Sequence, residues 1–177
     1  MNFWKDGKKI SMEKSVVFNE KRIELPDFLI GESRRKKYVL DASVVFKWYY
    51  KKNETDLYSA DILYNFLNSH QYILFAPQLL IYEILNAFRL KDEITSETID
   101  SIISELYDAI IILEADKVLL KNAFLYGRLL NISVYDGIYI ALSEKFDAPL
   151  ITADKKLYKS GKNLPHKVIM LLDFLEK

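Results

Sequence analysis

Cysteine is absent from the 177-residue chain, and histidine occurs only at His70 and His166. The first absence excludes disulfides, thiol nucleophiles and thiolate metal sites. The second excludes a three-histidine zinc site within one chain, and any Ser-His-Asp triad must use one of the two. Both histidines fall in segments that read as turns, and neither is assigned a role. No apolar run reaches the about 18–20 residues that a membrane span requires. The opening MNFWKDGKKISMEKSVVF holds no apolar stretch long enough for a signal-peptide core. The expectation is a soluble cytoplasmic protein with no membrane partner. A surplus of charge is missing too, because 25 Lys+Arg balance 25 Asp+Glu. That balance excludes a broadly cationic nucleic-acid coat and leaves a local patch open. With thiols absent and imidazole scarce, carboxylates are the expected carriers of chemistry.

What is present is enough apolar material for a core, since half of the residues are hydrophobic. The length suits one domain. Charge is unevenly spread: residues 1–37 carry 10 Lys/Arg against 6 Asp/Glu, leaving 15 against 19 for residues 38–177. Residues 1–36 read as an N-terminal extension with a short strand or turn around Val16–Phe18, not a separate domain. An apolar cluster of Ile23, Leu25, Phe28, Leu29 and Ile30 follows, interrupted by Pro26 and Gly31. Residues 37–177 read as the main domain.

In that domain short apolar runs alternate with amphipathic stretches. Strands are expected at 38–40, 72–76 (closed by Pro77), 110–113, 149–152 and 168–172. Helices are expected at 44–50 with Ser43 as cap, from Thr55 or Asp56 to 67, and at 79–90, 96–107, 116–130 and 135–146. The pattern implies an α/β fold, a parallel sheet of about five strands flanked by helices. In such sheets the loops after the strands' carboxyl ends gather at one edge, where ligands bind.

Four acids are placed at that edge. Asp41 closes the first strand, Glu83 lies in the first turns after the second, Asp136 opens a late helix, and Asp154 directly follows the fourth strand. Glu83 and Asp136 have no Lys or Arg within four residues on either side. A carboxylate on an apolar helix must find a partner or take up a proton, because burying it unpaired is costly. Each has a plainer reading: Asp41 as a turn residue, Asp154 as a helix cap, Glu83 as the partner of a distant arginine, Asp136 as a dipole-favoured first-turn acid. Convergence of all four is what caps alone do not explain. Clustered carboxylates repel, and oxygen donors without His or Cys favour Mg²⁺ or Mn²⁺. One or two such ions bind a phosphodiester, acidify an attacking water and steady the leaving oxygen.

The segments Val39-Leu40-Asp41-Ala42-Ser43, Pro77-Gln78-Leu79-Leu80-Ile81-Tyr82-Glu83-Ile84-Leu85-Asn86-Ala87, Ser133-Val134-Tyr135-Asp136-Gly137-Ile138-Tyr139-Ile140-Ala141-Leu142 and Leu150-Ile151-Thr152-Ala153-Asp154 resemble the PIN domain, and VapC-type ribonuclease toxins most of all. The resemblance implies Mg²⁺- or Mn²⁺-dependent cleavage of RNA. It places Asp41, Glu83, Asp136 and Asp154 on the family's catalytic, metal-holding quartet. Ser43, Thr152 and Asn86 fall on supporting polar positions. A homodimer and a small antitoxin partner are implied as well. The 36 residues before the first strand depart from the usual toxin. An apolar segment over 23–30 is expected to pack on the domain or on a second subunit.

For RNA, the run Arg34-Arg35-Lys36-Lys37 belongs at the wrong end of the first strand. Lys155, Lys156, Lys159 and Lys162 follow Asp154 at the right edge, with a solvated helix face as the competing reading. The ring-rich stretch Phe46-Lys47-Trp48-Tyr49-Tyr50 reads as core or dimer contact ahead of base stacking. Two other functions compete with the nuclease. A receiver-like signalling domain requires an adjacent acidic pair after the first strand and a lysine after the fifth, and neither is present. A catalytically silent PIN-like module that binds protein or RNA is the second.

Overall fold

The computed structural model describes residues 35–65, 67, 72–165 and 168–176, together with four strands ahead of them. The chain clusters as two units, Met1–Arg35 and Lys36–Lys177. In the first, β1 (Trp4–Lys5) pairs antiparallel with β2 (Lys8–Lys9), and β3 (Ser15–Phe18) with β4 (Lys21–Glu24). The strand expected near Val16 is therefore one arm of a hairpin. Ile23 pairs with Val16, and the rest of the apolar cluster up to Ile30 lies outside the described residues. His70, His166 and Arg34 lie outside them too.

The second unit is a five-stranded parallel sheet flanked by seven helices among the described residues. Its strands are β5 (Lys36–Leu40), β6 (Tyr72–Pro77), β7 (Ile111–Leu113), β8 (Leu150–Thr152) and β9 (Val168–Met170), in the spatial order β7-β6-β5-β8-β9. The chain builds outward from β5 to β6 and β7, then returns to the far side of β5 for β8 and β9. The reversal makes the gap between the carboxyl ends of β5 and β8 the switch point, the place where such sheets take ligands.

Between the strands lie α1 (Ala42–Tyr49), α2 (Leu57–Asn65), α3 (Leu79–Phe88), α4 (Ser96–Ala109), α5 (Lys117–Leu130), α6 (Val134–Phe146) and α7 (Lys155–Gly161). A 3-10 turn, Leu171–Glu176, follows β9. The sheet interior is apolar on both faces, from Val39, Leu40, Ala76, Leu150 and Ile151, as strands covered by helices on both sides require. No helix among the described residues is long and apolar enough to cross a membrane.

Local chemistry sets the helix ends. Thr95, Asp116 and Ser133 accept backbone N–H bonds in the first turns of α4, α5 and α6. Asn131 and Asp147 end α5 and α6 in the left-handed conformation, at φ 52° and 48°. Three sequence expectations are corrected. Ser43 does not cap α1: Asp41 holds the cap position, and Ser43 is already helical. The second strand ends at Pro77 but includes it, one residue beyond Ala76, with Pro77 paired to Leu113. The 168–172 strand is only Val168–Met170, because the chain then tightens into the 3-10 turn.

Candidate functional site

Asp41 is the first residue past β5, with an extended backbone that turns the chain into α1. It is 8 % exposed. Its Oδ2 accepts hydrogen bonds from Ser43 Oγ at 2.5 Å and Thr152 Oγ1 at 2.6 Å. Thr152 is the last residue of β8, so a partner 111 positions away reaches Asp41 only because β8 lies beside β5. The same two hydroxyls anchor the neighbouring turn: Ser43 Oγ accepts Ala153 N–H at 3.0 Å, and Thr152 Oγ1 accepts Asp154 N–H at 2.9 Å. Asp154 in turn caps α7, its Oδ1 accepting the N–H groups of Lys156 and Leu157 at 2.6 and 3.1 Å.

Glu83 stands in the second turn of α3, and its partner is not an arginine. Tyr139 Oη, almost fully buried on α6, donates to Glu83 Oε2 at 2.5 Å. Asp136 is in the first turn of α6, where Ser133 Oγ accepts its backbone N–H at 3.0 Å. A close approach of α5 fixes that turn. A Cβ at Gly137 would stand 2.3 Å from the Ala123 carbonyl oxygen, so only glycine lets the two helices meet there.

All four acids line one cleft of about 480 Å³. Its walls also carry Ser43, Phe46, Lys47, Glu54, Ile84 and Ala87. Burial pushes the Asp41 carboxyl above its ordinary range; the Ser43 and Thr152 hydrogen bonds oppose this, and the charges of Asp136 and Asp154 add to it. Burial likewise raises Glu83, against the Tyr139 hydrogen bond and with the charges of Asp41 and Asp136. The Tyr139 hydroxyl is raised for the same reason, burial first and then the two carboxylates beside it. The acids are thus mutually coupled as well as gathered.

The donor set consists of carboxylate oxygens, which suit a hard divalent ion. Asp41, Glu83 and Asp154 each commit one oxygen to the hydrogen bonds above and keep the other without a hydrogen-bond partner among the described residues. As the carboxylates stand, no three His, Cys, Asp or Glu side chains among the described residues are grouped closely enough to hold a metal ion. The chemistry of the donors fits such an ion.

A family model described as the PIN domain matches residues 38–163. The chain belongs to the PIN domain family. That span contains all four acids. Among curated proteins no sequence matches it. Solved PIN-like structures share the fold at low identity. PAE2754 of Pyrobaculum aerophilum is 19% identical with TM-score 0.55, over 80% of this chain and 93% of that one. A toxin-antitoxin complex from Klebsiella pneumoniae is 10% identical with TM-score 0.56, over 75% and 96%. VapC20 of Mycobacterium tuberculosis, a sarcin-ricin loop cleaving toxin, is 11% identical with TM-score 0.56, over 70% and 95%.

Most other candidates stand away from the cleft. Asn86 is exposed and accepts from Arg89 Nε at 2.7 Å on its own helix; it does not line the cleft. Lys155, Lys156, Lys159 and Lys162 are exposed on and just after α7, and none lines the cleft either. Lys36 and Lys37 open β5, at the end of the strand opposite Asp41. The aromatic stretch is divided: Trp48 is buried, the Tyr49 and Tyr64 hydroxyls both donate to Glu105, and Phe46 lines the cleft while packing on Phe88 at 5.1 Å. Sequence reading passed over Lys47, Glu54 and Tyr139. The signal for Lys47 was available: one charge in an apolar helix, the same sign that singled out Glu83.

Proposed function

We propose that the chain is a divalent-metal-dependent ribonuclease that hydrolyses RNA phosphodiester bonds and serves as the toxin of a toxin-antitoxin pair. The observation that carries this reading is the convergence of Asp41, Glu83, Asp136 and Asp154, from four separate elements, on one cleft at the switch point of a PIN fold. These four residues would hold Mg²⁺ or Mn²⁺, which when bound supplies positive charge for a phosphate and acidity for a water. Ser43 and Thr152 hold the Asp41 carboxylate by one oxygen and fix its orientation. Tyr139 does the same for Glu83, and the first N–H groups of α7 for Asp154. Desolvation of Asp41 and Glu83 strengthens their pull on any cation that enters.

The toxin part draws on the Klebsiella pneumoniae toxin-antitoxin complex and the cleaving toxin VapC20, which share the fold. A small antitoxin is the partner proposed. A homodimer is proposed through α5, where Val118, Phe124, Leu125 and Leu129 stand exposed. Leu125→Asp is expected to shift the mass measured by light scattering from dimer to monomer.

Cleavage of total RNA in Mg²⁺, compared between wild type and Asp136→Asn, tests the activity. Loss of cleavage in the variant is expected, and equal cleavage by both proteins defeats the reading. The alternative is a catalytically silent PIN-like module that binds protein or RNA, which requires no grouping of three acidic side chains about an ion, and none is formed among the described residues. Calorimetric titration of Mn²⁺ into wild type and Asp41→Asn decides between them. Binding by wild type alone supports the nuclease, and binding by neither supports the silent module.

A further inference from the structure

We propose that Lys47 is the phosphate-anchoring residue of this cleft, its ammonium held in place by Glu54 and donating to a backbone phosphate of bound RNA. The inference rests on the nuclease reading above and adds to it a residue outside the acidic quartet.

Lys47 is the one basic side chain lining the cleft among the described residues, against the carboxylates of Asp41, Glu54, Glu83, Asp136 and Asp154. It stands one helical turn after Ser43 on α1, so the residue that orients Asp41 and the ammonium share a face. Its side chain is 7% exposed and donates to Oε2 of Glu54, whose side chain is 28% exposed. Its helix neighbours Val44, Val45 and Trp48 are buried apolar residues. Stability is a weak reason for a lysine there, because replacing a buried ion pair with apolar side chains of similar volume is often neutral or stabilising.

Glu54 arrives from a shaped loop. Between α1 and α2 the chain takes up left-handed backbone at two non-glycine residues, Asn53 (φ 62°) and Asp56 (φ 59°). Lys51 Nζ ties the same loop to Asp61 at 2.6 Å. The loop therefore returns a carboxylate onto Lys47 at the rim of the acidic cleft. An ammonium has three donors, and Glu54 is its one hydrogen-bond acceptor among the described residues. The remaining donors suit the non-bridging oxygens of a phosphate, as a point charge rather than a bidentate clamp. A polyanion entering a cleft lined by five acids needs such a group, and the lysines of α7 do not line it.

The test measures binding of a short single-stranded RNA of mixed sequence by fluorescence anisotropy across a salt series, together with steady-state cleavage in Mn²⁺. The variants are Lys47→Met, Lys47→Arg and the double variant Lys47→Met with Glu54→Met. The double variant removes both charges at once and leaves no half-buried carboxylate unpaired, so it keeps the proposal testable where the single variant fails to fold. Loss of one phosphate contact is expected to weaken binding roughly tenfold and to flatten the salt slope by about 0.7. KM should rise more than kcat falls, and Lys47→Arg should restore the slope. A double variant that melts differently but keeps the wild-type slope and KM makes the pair purely structural and overturns the proposal. Wild type that cleaves no RNA in Mn²⁺ defeats the nuclease reading instead, a result that the variants cannot imitate.

Discussion

The carboxyl ends of β5 and β8 lie side by side, and each passes into a helix through an aspartate in the cap position. Backbone geometry hardly separates Asp41 (φ −83°, ψ 147°) from Asp154 (φ −80°, ψ 111°). Their side chains are nevertheless put to opposite uses. Asp154 is exposed and caps α7 through two backbone N–H groups, whereas Asp41 makes no side-chain cap bond and is buried against two hydroxyls. The difference is made by Ser43 and Thr152, which offer Asp41 better-placed donors than its own helix does. Both aspartates line the cleft, and burial against two hydroxyls is what sets Asp41 apart from the exposed Asp154.

The most severe way to break the comparison is to remove the charge of Asp41. Asp41→Asn is expected to lower RNA cleavage on the order of a thousandfold, the effect of losing several kcal/mol of ion-mediated stabilisation. The same change should raise the melting temperature of the metal-free protein. Burial lifts the folded Asp41 carboxyl above its unfolded value. Between those two values the folded state binds more protons than the unfolded one, so stability falls as pH rises through the window and is fully present at its acid side. Asparagine has no charge to desolvate and should flatten that pH dependence. A lower melting temperature for Asp41→Asn, measured by calorimetry in EDTA, would contradict the account.

Asp154→Asn sharpens the contrast from the other side. Asparagine caps as well as aspartate, so stability should stay within about 0.5 kcal/mol while cleavage falls roughly a hundredfold. If cleavage survives, Asp154 is only a cap. Thr152→Val removes the donor to Asp41 and the acceptor of the Asp154 N–H while leaving every acid in place, and a loss of roughly 10–100-fold in activity or metal affinity is expected. Smallest of all, Asp154→Ala should unfold about 1 kcal/mol more easily than Asp154→Asn in urea. The equivalent comparison at Asp41 should show no lost cap, since its side chain caps nothing.

The order of strands and helices was legible because apolar runs and amphipathic periods switch cleanly from Tyr38 onward. Glu83 and Asp136 were legible because charges without local partners stand out in apolar segments, and Asp41 and Asp154 because they directly follow apolar strand runs. Glu83 shows the limit of that signal: it announced a buried carboxylate but not its partner, which is a tyrosine 56 residues away on another helix. Lys47 carries the same signal with the opposite charge, one ionisable group in an otherwise apolar helix. Serine's preference for caps predicts one at Ser43, yet Ser43 is helical and donates to Asp41; of the two roles expected for it, the structure excludes the cap.

Composition and order alone determined that any chemistry here belongs to carboxylates and that the chain alternates strands with helices. These follow from residue type and spacing, which are properties of the chain itself. Tertiary structure decided which oxygens are held, by what, and how much water they keep. Thr152 reaches Asp41, and Glu54 returns to Lys47, only through a strand order and a loop path that no local period encodes.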